Sequence, residues 1–295
     1  MARGKMTQLI LMTTLLCCFG GMSSPAASAG SGTFYVVSTG PGDPKHITVK
    51  ALETIKNADL VLCSAQSAKQ WQEILQGKKV EDPWKELWFY QGKVWMKDLS
   101  TFKPEERPKI VAEKKRQRDA YVNNLKGLLA QGKNVALLDS GDPTVFSRAF
   151  WLLEGVDENQ VEIIPGVGAM TAAMAALKKA STGGGARFVA QTAPFAFFGQ
   201  NDRDDLARDL SRQPGTLVFY MGLTQIANLV DALKKFNPGD LPVAVVYYAG
   251  YPQKEKIVKG TLDTILANIA PEKEKWMGMI IVGRSLTGPN FTLSE

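Results

Sequence analysis

Apolar positions along the chain fall into two patterns. Short continuous runs occur at 34–37 (FYVV), 60–63 (LVLC) and 135–138 (VALL), with a run broken once by Glu162 at 161–164 (VEII), and turn-forming residues flank most of them. Runs of this length predict strands buried on both faces, as in a parallel sheet. Between them the apolar period lengthens to that of a helix. Ile47, Leu52 and Ile55 share one face over 45–57, and Val111, Tyr121, Val122, Leu125, Leu128 and Leu129 share one over 104–133. The stretch 34–63 therefore reads as a βαβ unit with a right-handed crossover. A small-residue helix is predicted over 169–177, and the glycines of 183–185 form a flexible joint. Beyond the joint, strands are predicted at 187–191, 216–220, 243–248 and 279–282, separated by helices near 203–211, 225–235 and 262–270. The whole is an α/β chain, and its 295 residues suit two domains of common size, the second starting near Met170.

The stretch 134–148, NVALLDSGDPTVFSR, organises the rest. It predicts a buried strand, a sharp turn at Asp139, Ser140 and Gly141, then a helix over 144–153 capped by Asp142 with Pro143 in its first turn. Asp is a favoured N-cap because its carboxylate accepts otherwise unpaired amides, and Pro loses nothing at the first helical position. The same device occurs earlier in FYVVSTGPGDP, where Gly40 and Gly42 lead to Asp43 and Pro44. Either unit alone is an ordinary capped turn. Together they aim two backbone turns from the C-terminal edge of a parallel sheet, where ligands of open α/β sheets bind.

Charge adds little. The formal net charge of +6 falls to +4 once Arg3 and Lys5 of the first 29 residues are set aside, a mild surplus that does not indicate nucleic acid. The N-terminus says more. Two cations precede a short apolar run through Leu9–Phe19, and small residues then end in Ala27, Ser28 and Ala29. This describes a signal peptide cleaved after Ala29, too short to span a bilayer. The expectation is an exported, periplasmic protein, or a cytoplasmic one if the start codon is mis-assigned. Cys17 and Cys18 leave with such a leader, and Cys63 alone cannot settle the redox compartment. Four of the six tryptophans fall in 70–102, together with Phe89, Tyr90 and Phe102. They form either a satellite core under a long connection or a wall for a flat ligand. Lys109, Lys114, Lys115, Arg116 and Arg118 give the long helix a basic outer face, read as solvated, with a wall for a polycarboxylate as the alternative. His46, the single histidine, reads as surface decoration beside its turn.

Four stretches in order carry a family resemblance: GPGDPKHITVKALETIKNADLVL, SGDPTVFSR, VEIIPGVGAMTAAMAAL, and TLVFYMGL with PVAVVYYAGYPQKEKIVKGTLDTI. Together they resemble the tetrapyrrole methylases, the S-adenosylmethionine-dependent enzymes of corrin and sirohaem assembly. The run YYAGYPQKEKIVKGTL looks most like the precorrin-4 C11-methyltransferase branch. The resemblance implies two α/β domains with the cofactor cleft between them, the N-terminal one a mainly parallel sheet. Domains are expected at 33–170, with an aromatic and basic insertion near 70–133, and at 171–290. Cofactor contacts implied by matching motifs are Pro41, Ser140, Gly141, Asp142, Val145, Thr171, Ala172, Met221 and Gly250. The implied cofactor is S-adenosyl-L-methionine and the partner a small tetrapyrrole substrate. A homodimer is expected by family habit, with no nucleic acid, no metal site and no membrane span after leader cleavage.

The chain departs from the family in places. Ser64 stands where the uroporphyrinogen branch has Asp, and Ser140 replaces the first glycine of Gly-Gly-Asp. The insertion is long, and no general base is assigned. The implied activity is C-methylation of a precorrin-4-like precursor. The alternative is an exported protein that keeps the cleft for a tetrapyrrole or nucleoside without turnover, since S-adenosylmethionine is made inside the cell. A nicotinamide dehydrogenase is excluded because Lys45 occupies the last glycine position of the G-x-G-x-x-G fingerprint.

Overall fold

The computed structural model describes residues 30–87 and 102–291. The leader of 1–29 and the aromatic residues Trp88, Phe89, Tyr90 and Trp95 of the insertion lie outside the described residues. Strands β1 (Phe34–Ser38), β2 (Leu60–Leu62), β3 (Val80–Glu81), β4 (Val135–Asp139) and β5 (Val161–Ile164) form one sheet in the order β3-β2-β4-β1-β5. All its pairings are parallel. Both faces are covered, which is why the inner strands β1, β2 and β4 read as apolar runs. Phe34, Val36, Leu60, Leu62, Val135 and Leu137 point to one core. That core also holds residues of α3 (Trp84–Leu87), α4 (Arg107–Ala130) and α5 (Phe150–Leu153). Val37, Val61, Cys63, Ala136 and Leu138 point to the other face, against α1 (Val49–Asn57) and the segment that includes α2 (Ala65–Gln70).

The second sheet is mixed. β6 (Phe188–Thr192) pairs parallel with β7 (Gly215–Phe219), and β10 (Gly278–Val282) pairs antiparallel with β7 and β8 (Pro242–Tyr247). β9 (Lys256–Thr261) closes the edge as a hairpin with β8. Its pattern, with Lys256 and Lys259 among half-buried neighbours, is that of an edge strand and was not predicted. Helix α6 (Ala169–Leu177) follows β5 of the first sheet yet packs on the second. Ala172, Ala173, Met174 and Leu177 share a core with Val218, Ala244, Val246, Met279 and Ile281. The opposite face carries α7 (Pro194–Phe197), α8 (Asp205–Leu210), α9 (Ile226–Lys234) and α10 (Ile265–Asn268). The molecule is thus two α/β domains, the first of them parallel.

Three sequence expectations are corrected. The helix over 45–57 splits into a 3-10 turn, Pro44–His46, and α1, which starts only after Thr48 accepts the Ala51 amide. The helix over 144–153 is mostly absent. Asp142 caps only a turn, its Oδ1 accepting the Thr144 amide at 2.9 Å and hydroxyl at 2.7 Å, and helix resumes as the four residues of α5. On α4, Val111 is exposed and Arg118 is buried, the reverse of the predicted faces. The Arg118 guanidinium donates to the Trp151 carbonyl at 3.0 Å and to Glu154 and Asp119, so its charge is compensated where it is buried. Within the insertion, Trp71 and Trp84 are core residues, as the satellite-core reading requires.

Candidate functional site

The site begins with two neighbouring strands. Ser38 lies opposite Asp139 at the ends of β1 and β4, so both chains leave the sheet at the same height. From β1 the chain passes to α1 on one face, and from β4 to α5 on the other. Adjacent strands whose connections part to opposite faces leave a crevice between them, the topological switch point of an open α/β sheet. Gly40 and Gly141 occupy it, both at φ +74°. The Gly141 amide donates to the Gly40 carbonyl at 3.0 Å, and the Ser38 hydroxyl donates to the Gly141 carbonyl at 2.5 Å. Two turns over 100 residues apart in sequence are therefore one hydrogen-bonded unit.

The second domain closes on this unit through two further glycines. The Asp43 amide donates to the Gly250 carbonyl at 2.8 Å. A Cβ on Gly250 would lie 2.1 Å from the Pro41 carbonyl oxygen, and one on Gly42 would lie 2.4 Å from the Tyr251 ring. Both glycines have positive φ, so conformation and close approach demand the same residue. Between the domains lies a cleft lined by Pro41, Ser140 and Gly141 on one side and by Tyr220, Met221, Val246 and Tyr248 among others on the other. Met221 (φ 51°) and Tyr248 (φ 50°) hold left-handed backbone without being glycine. Such strain persists where surrounding structure over-determines it, commonly at ligand sites.

Pro41, Ser140, Gly141 and Met221 of the sequence-predicted set are brought together on the cleft. Asp142, Val145, Thr171, Ala172 and Gly250 stand one to four residues from lining positions without lining it themselves. Sequence reasoning missed Tyr220, Tyr248, Tyr251, Trp276 and Met277. A tyrosine pair flanking Ala249 and Gly250 was the available clue. Tyr248 donates its hydroxyl to Glu274, whose other oxygen accepts the amides of Trp276 at 2.6 Å and Met277 at 3.0 Å. These bonds, the tyrosine hydroxyl first, hold the Glu274 carboxyl down at about 2. The opposite shift occurs behind the first turn. Burial pushes the Asp139 carboxyl up, against the Ser147 hydroxyl and the Arg148 charge. Cys63 is buried beside this region and burial pushes its thiol up to about 11, so it is a poor nucleophile. His46 backs onto Gly40, and its Nδ1 is enclosed without a hydrogen-bond partner. No cluster of three metal-ligating side chains occurs among the described residues, and no helix there is long and apolar enough to cross a membrane.

Two α/β domains around a cleft at a switch point define a class that binds a small ligand between domains. Residues 33–266 match the family model of the tetrapyrrole (corrin/porphyrin) methylases. The chain is 32% identical over 260 residues to a uroporphyrinogen-III C-methyltransferase of Methanocaldococcus jannaschii, covering 86% of this chain and 96% of that one. It is 28% identical over 267 residues to the cobalt-precorrin-4 C(11)-methyltransferase of the same organism, covering 88% and 90%. Among solved structures, a uroporphyrin-III C-methyltransferase of Thermus thermophilus complexed with S-adenosyl homocysteine superposes with a TM-score of 0.54 at 26% identity, covering 85% and 97%. A cobalt precorrin-4 methyltransferase shares the fold with a TM-score of 0.62 at 23% identity, covering 86% and 95%. The chain belongs to the tetrapyrrole methylases, a family of S-adenosylmethionine-dependent methyltransferases.

Proposed function

We propose that this protein transfers a methyl group from S-adenosyl-L-methionine to a carbon of a tetrapyrrole or corrin precursor of the precorrin-4 kind. The supporting observation is the hydrogen-bonded pair of glycine turns at the switch point, facing a wall from the second domain across one cleft. The cleft fits such a cofactor. A Cβ on Gly141 would meet nothing closer than the Ala169 amide nitrogen at 3.9 Å, so open space lies against bare backbone. Met221, Val246 and Ala249 supply apolar surface for a nucleoside, and backbone at Pro41, Ser140 and Gly141 supplies hydrogen-bonding groups for its polar parts.

When bound, the cofactor supplies an electrophilic methyl on a sulfonium. The protein's task is placement: holding the acceptor carbon in line with the carbon–sulfur bond and keeping water out accounts for most of the attainable acceleration. In this reading Pro41, Ser140, Gly141, Asp142 and Val145 hold the cofactor from the first domain. Thr171, Ala172, Met221 and Gly250 hold it from the second. Calorimetric titration with S-adenosylmethionine and S-adenosylhomocysteine tests this, with binding of both expected; absence of both overturns it. Methyl transfer is then read by mass spectrometry on uroporphyrinogen III and precorrin-4. Binding without transfer to either would favour the second reading, an exported protein that holds its ligand without turnover, which the leader-like residues 1–29 motivate. Export itself is proposed, and N-terminal sequencing of protein from cells should then begin at Gly30. Light scattering tests the proposed homodimer.

A further inference from the structure

The stretch between α10 and β10 gives the cleft two of its side chains, and one carboxylate stands behind both. Trp276 and Met277 line the cleft and are 58% and 41% exposed. With so much of each side chain in solvent, its direction depends on where its backbone is held. Glu274 holds that backbone: one carboxylate oxygen accepts the Trp276 amide at 2.6 Å and the Met277 amide at 3.0 Å. The other oxygen accepts the hydroxyl of Tyr248, a third cleft residue. Tyr248 follows β8, and its own amide donates to the Met277 carbonyl at 2.8 Å. Tyrosine and stretch are thus tied twice, once by backbone and once by side chain. Tyr248 in turn meets Tyr251 edge-on, 6.0 Å between ring centroids, and Tyr251 packs on Gly42 of the first domain.

Three cleft residues therefore share one acceptor, although Glu274 does not itself line the cleft. We propose that Glu274 is a positioning residue for cofactor binding, fixing Tyr248, Trp276 and Met277 as the wall that receives the nucleoside end of S-adenosylmethionine. This depends on the methyltransferase reading above. A carboxylate suits the task because both its oxygens accept and its bonds are charge-assisted, about twice as strong as neutral ones. The carboxyl is held down at about 2, so near neutral pH the anion makes these bonds. Tyr248 needs such a hold, because its φ of 50° is a conformation that surrounding structure must impose. Aromatic and thioether side chains give a purine broad apolar contact, and ordering them before it arrives spares the affinity that ordering them on binding would cost. Glu272, two residues earlier, is the natural contrast. Its carboxylate pairs with Lys256 of edge strand β9 at 2.5 Å, and it does not line the cleft.

The test is calorimetric titration of S-adenosylhomocysteine into the full chain, beside thermal unfolding without ligand. Glu274→Ala should weaken binding about tenfold or more. Glu274→Gln keeps an oxygen for the two amides and an NH2 group that can donate to the Tyr248 oxygen, so affinity should return to within about threefold of wild type. Glu272→Ala should stay within about twofold of wild type, even if its unfolding temperature drops. Unchanged affinity in Glu274→Ala overturns the proposal, and a lower unfolding temperature alone would make Glu274 a brace for the fold. An equal loss in Glu272→Ala overturns it too, because any disturbance of the stretch would then suffice. So does a Glu274→Gln as weak as Glu274→Ala, since charge and not the shared bonds would carry the effect. Should Glu274→Ala fail to fold, Tyr248→Phe deletes the hydroxyl bond and keeps the ring; about threefold weaker binding is expected, and no change overturns the proposal. Failure of the wild type to bind S-adenosylhomocysteine removes the reading beneath, whereas an overturning result in the variants alone leaves that reading standing.

Discussion

The two walls of the cleft are made of different material. The first domain contributes tight turns: Gly40, Gly42 and Gly141, all at positive φ, present Pro41, Ser140 and Gly141 to the cleft. The second contributes side chains: Tyr220, Met221, Tyr248, Tyr251, Trp276 and Met277. Parallel strands explain the first wall, because turns at a switch point leave the sheet sharply and side by side. The mixed sheet explains the second. Its β7 end and its β8–β9 connection carry bulky residues, two of them forced into left-handed backbone. One wall therefore depends on glycines in left-handed backbone. The other is strained in backbone and specific in its side chains. Their carboxylates differ as well: Asp139 behind the first wall is pushed up by burial, while Glu274 behind the second is held down by hydrogen bonds.

The sharpest way to break this contrast is to add a Cβ at the seam. Gly250→Ala would drive its methyl into the Pro41 carbonyl at positive φ, and we expect a loss of about 2–4 kcal/mol in chemical denaturation. Gly77→Ala, also at positive φ but with nothing within 4 Å, should cost about 1 kcal/mol. Equal losses would refute the seam argument. Next in size is Asp142→Ala. It caps a turn in place of a helix, so stability should fall by no more than about 0.5–1 kcal/mol. S-adenosylhomocysteine affinity should drop at least tenfold, on the order of 1.4 kcal/mol. Undiminished affinity would count against Asp142 as a contact.

Met221→Gly probes the opposite wall. Met221 is 41% exposed, so little burial is lost, and relief of its φ should stabilise the fold by about 0.5–1 kcal/mol while ligand affinity falls. Destabilisation would show that the strain is not there. The smallest effect concerns pH. Glu274 is held below its ordinary 4.5, at about 2, so its contribution is full above the ordinary value and is lost as pH falls from 4.5 through 2. Glu274→Gln should flatten that acid limb in stability measured against pH. An unchanged limb would mean that the Tyr248 and amide bonds survive without the charge.

Much of this was legible beforehand, for local reasons. Continuous apolar runs announced the buried strands, and the repeated Gly-Asp-Pro announced the two turns. Pro41, Ser140, Gly141 and Met221 followed from the family resemblance of the stretches that carry them. What failed was whatever a distant partner decided. Arg118 reads as solvated until the Trp151 carbonyl and Glu154 are placed beside it. The helix from Thr144 has a proper cap and proline, yet Asp139 and Trp84 pull Ser147 and Arg148 into another path. Strand β9 looked like loop because an edge strand buries only part of one face.

Sequence by itself determined the buried strands, the glycine turns and the family, because backbone conformation and apolar period are written within a dozen residues. Only the tertiary structure decided that Gly40 bonds Gly141, that Gly250 receives Pro41, and that Tyr248 and Trp276 share a wall. Each of these joins positions far apart in the chain, and sequence spacing carries no information about which of many possible closures gives the best packing.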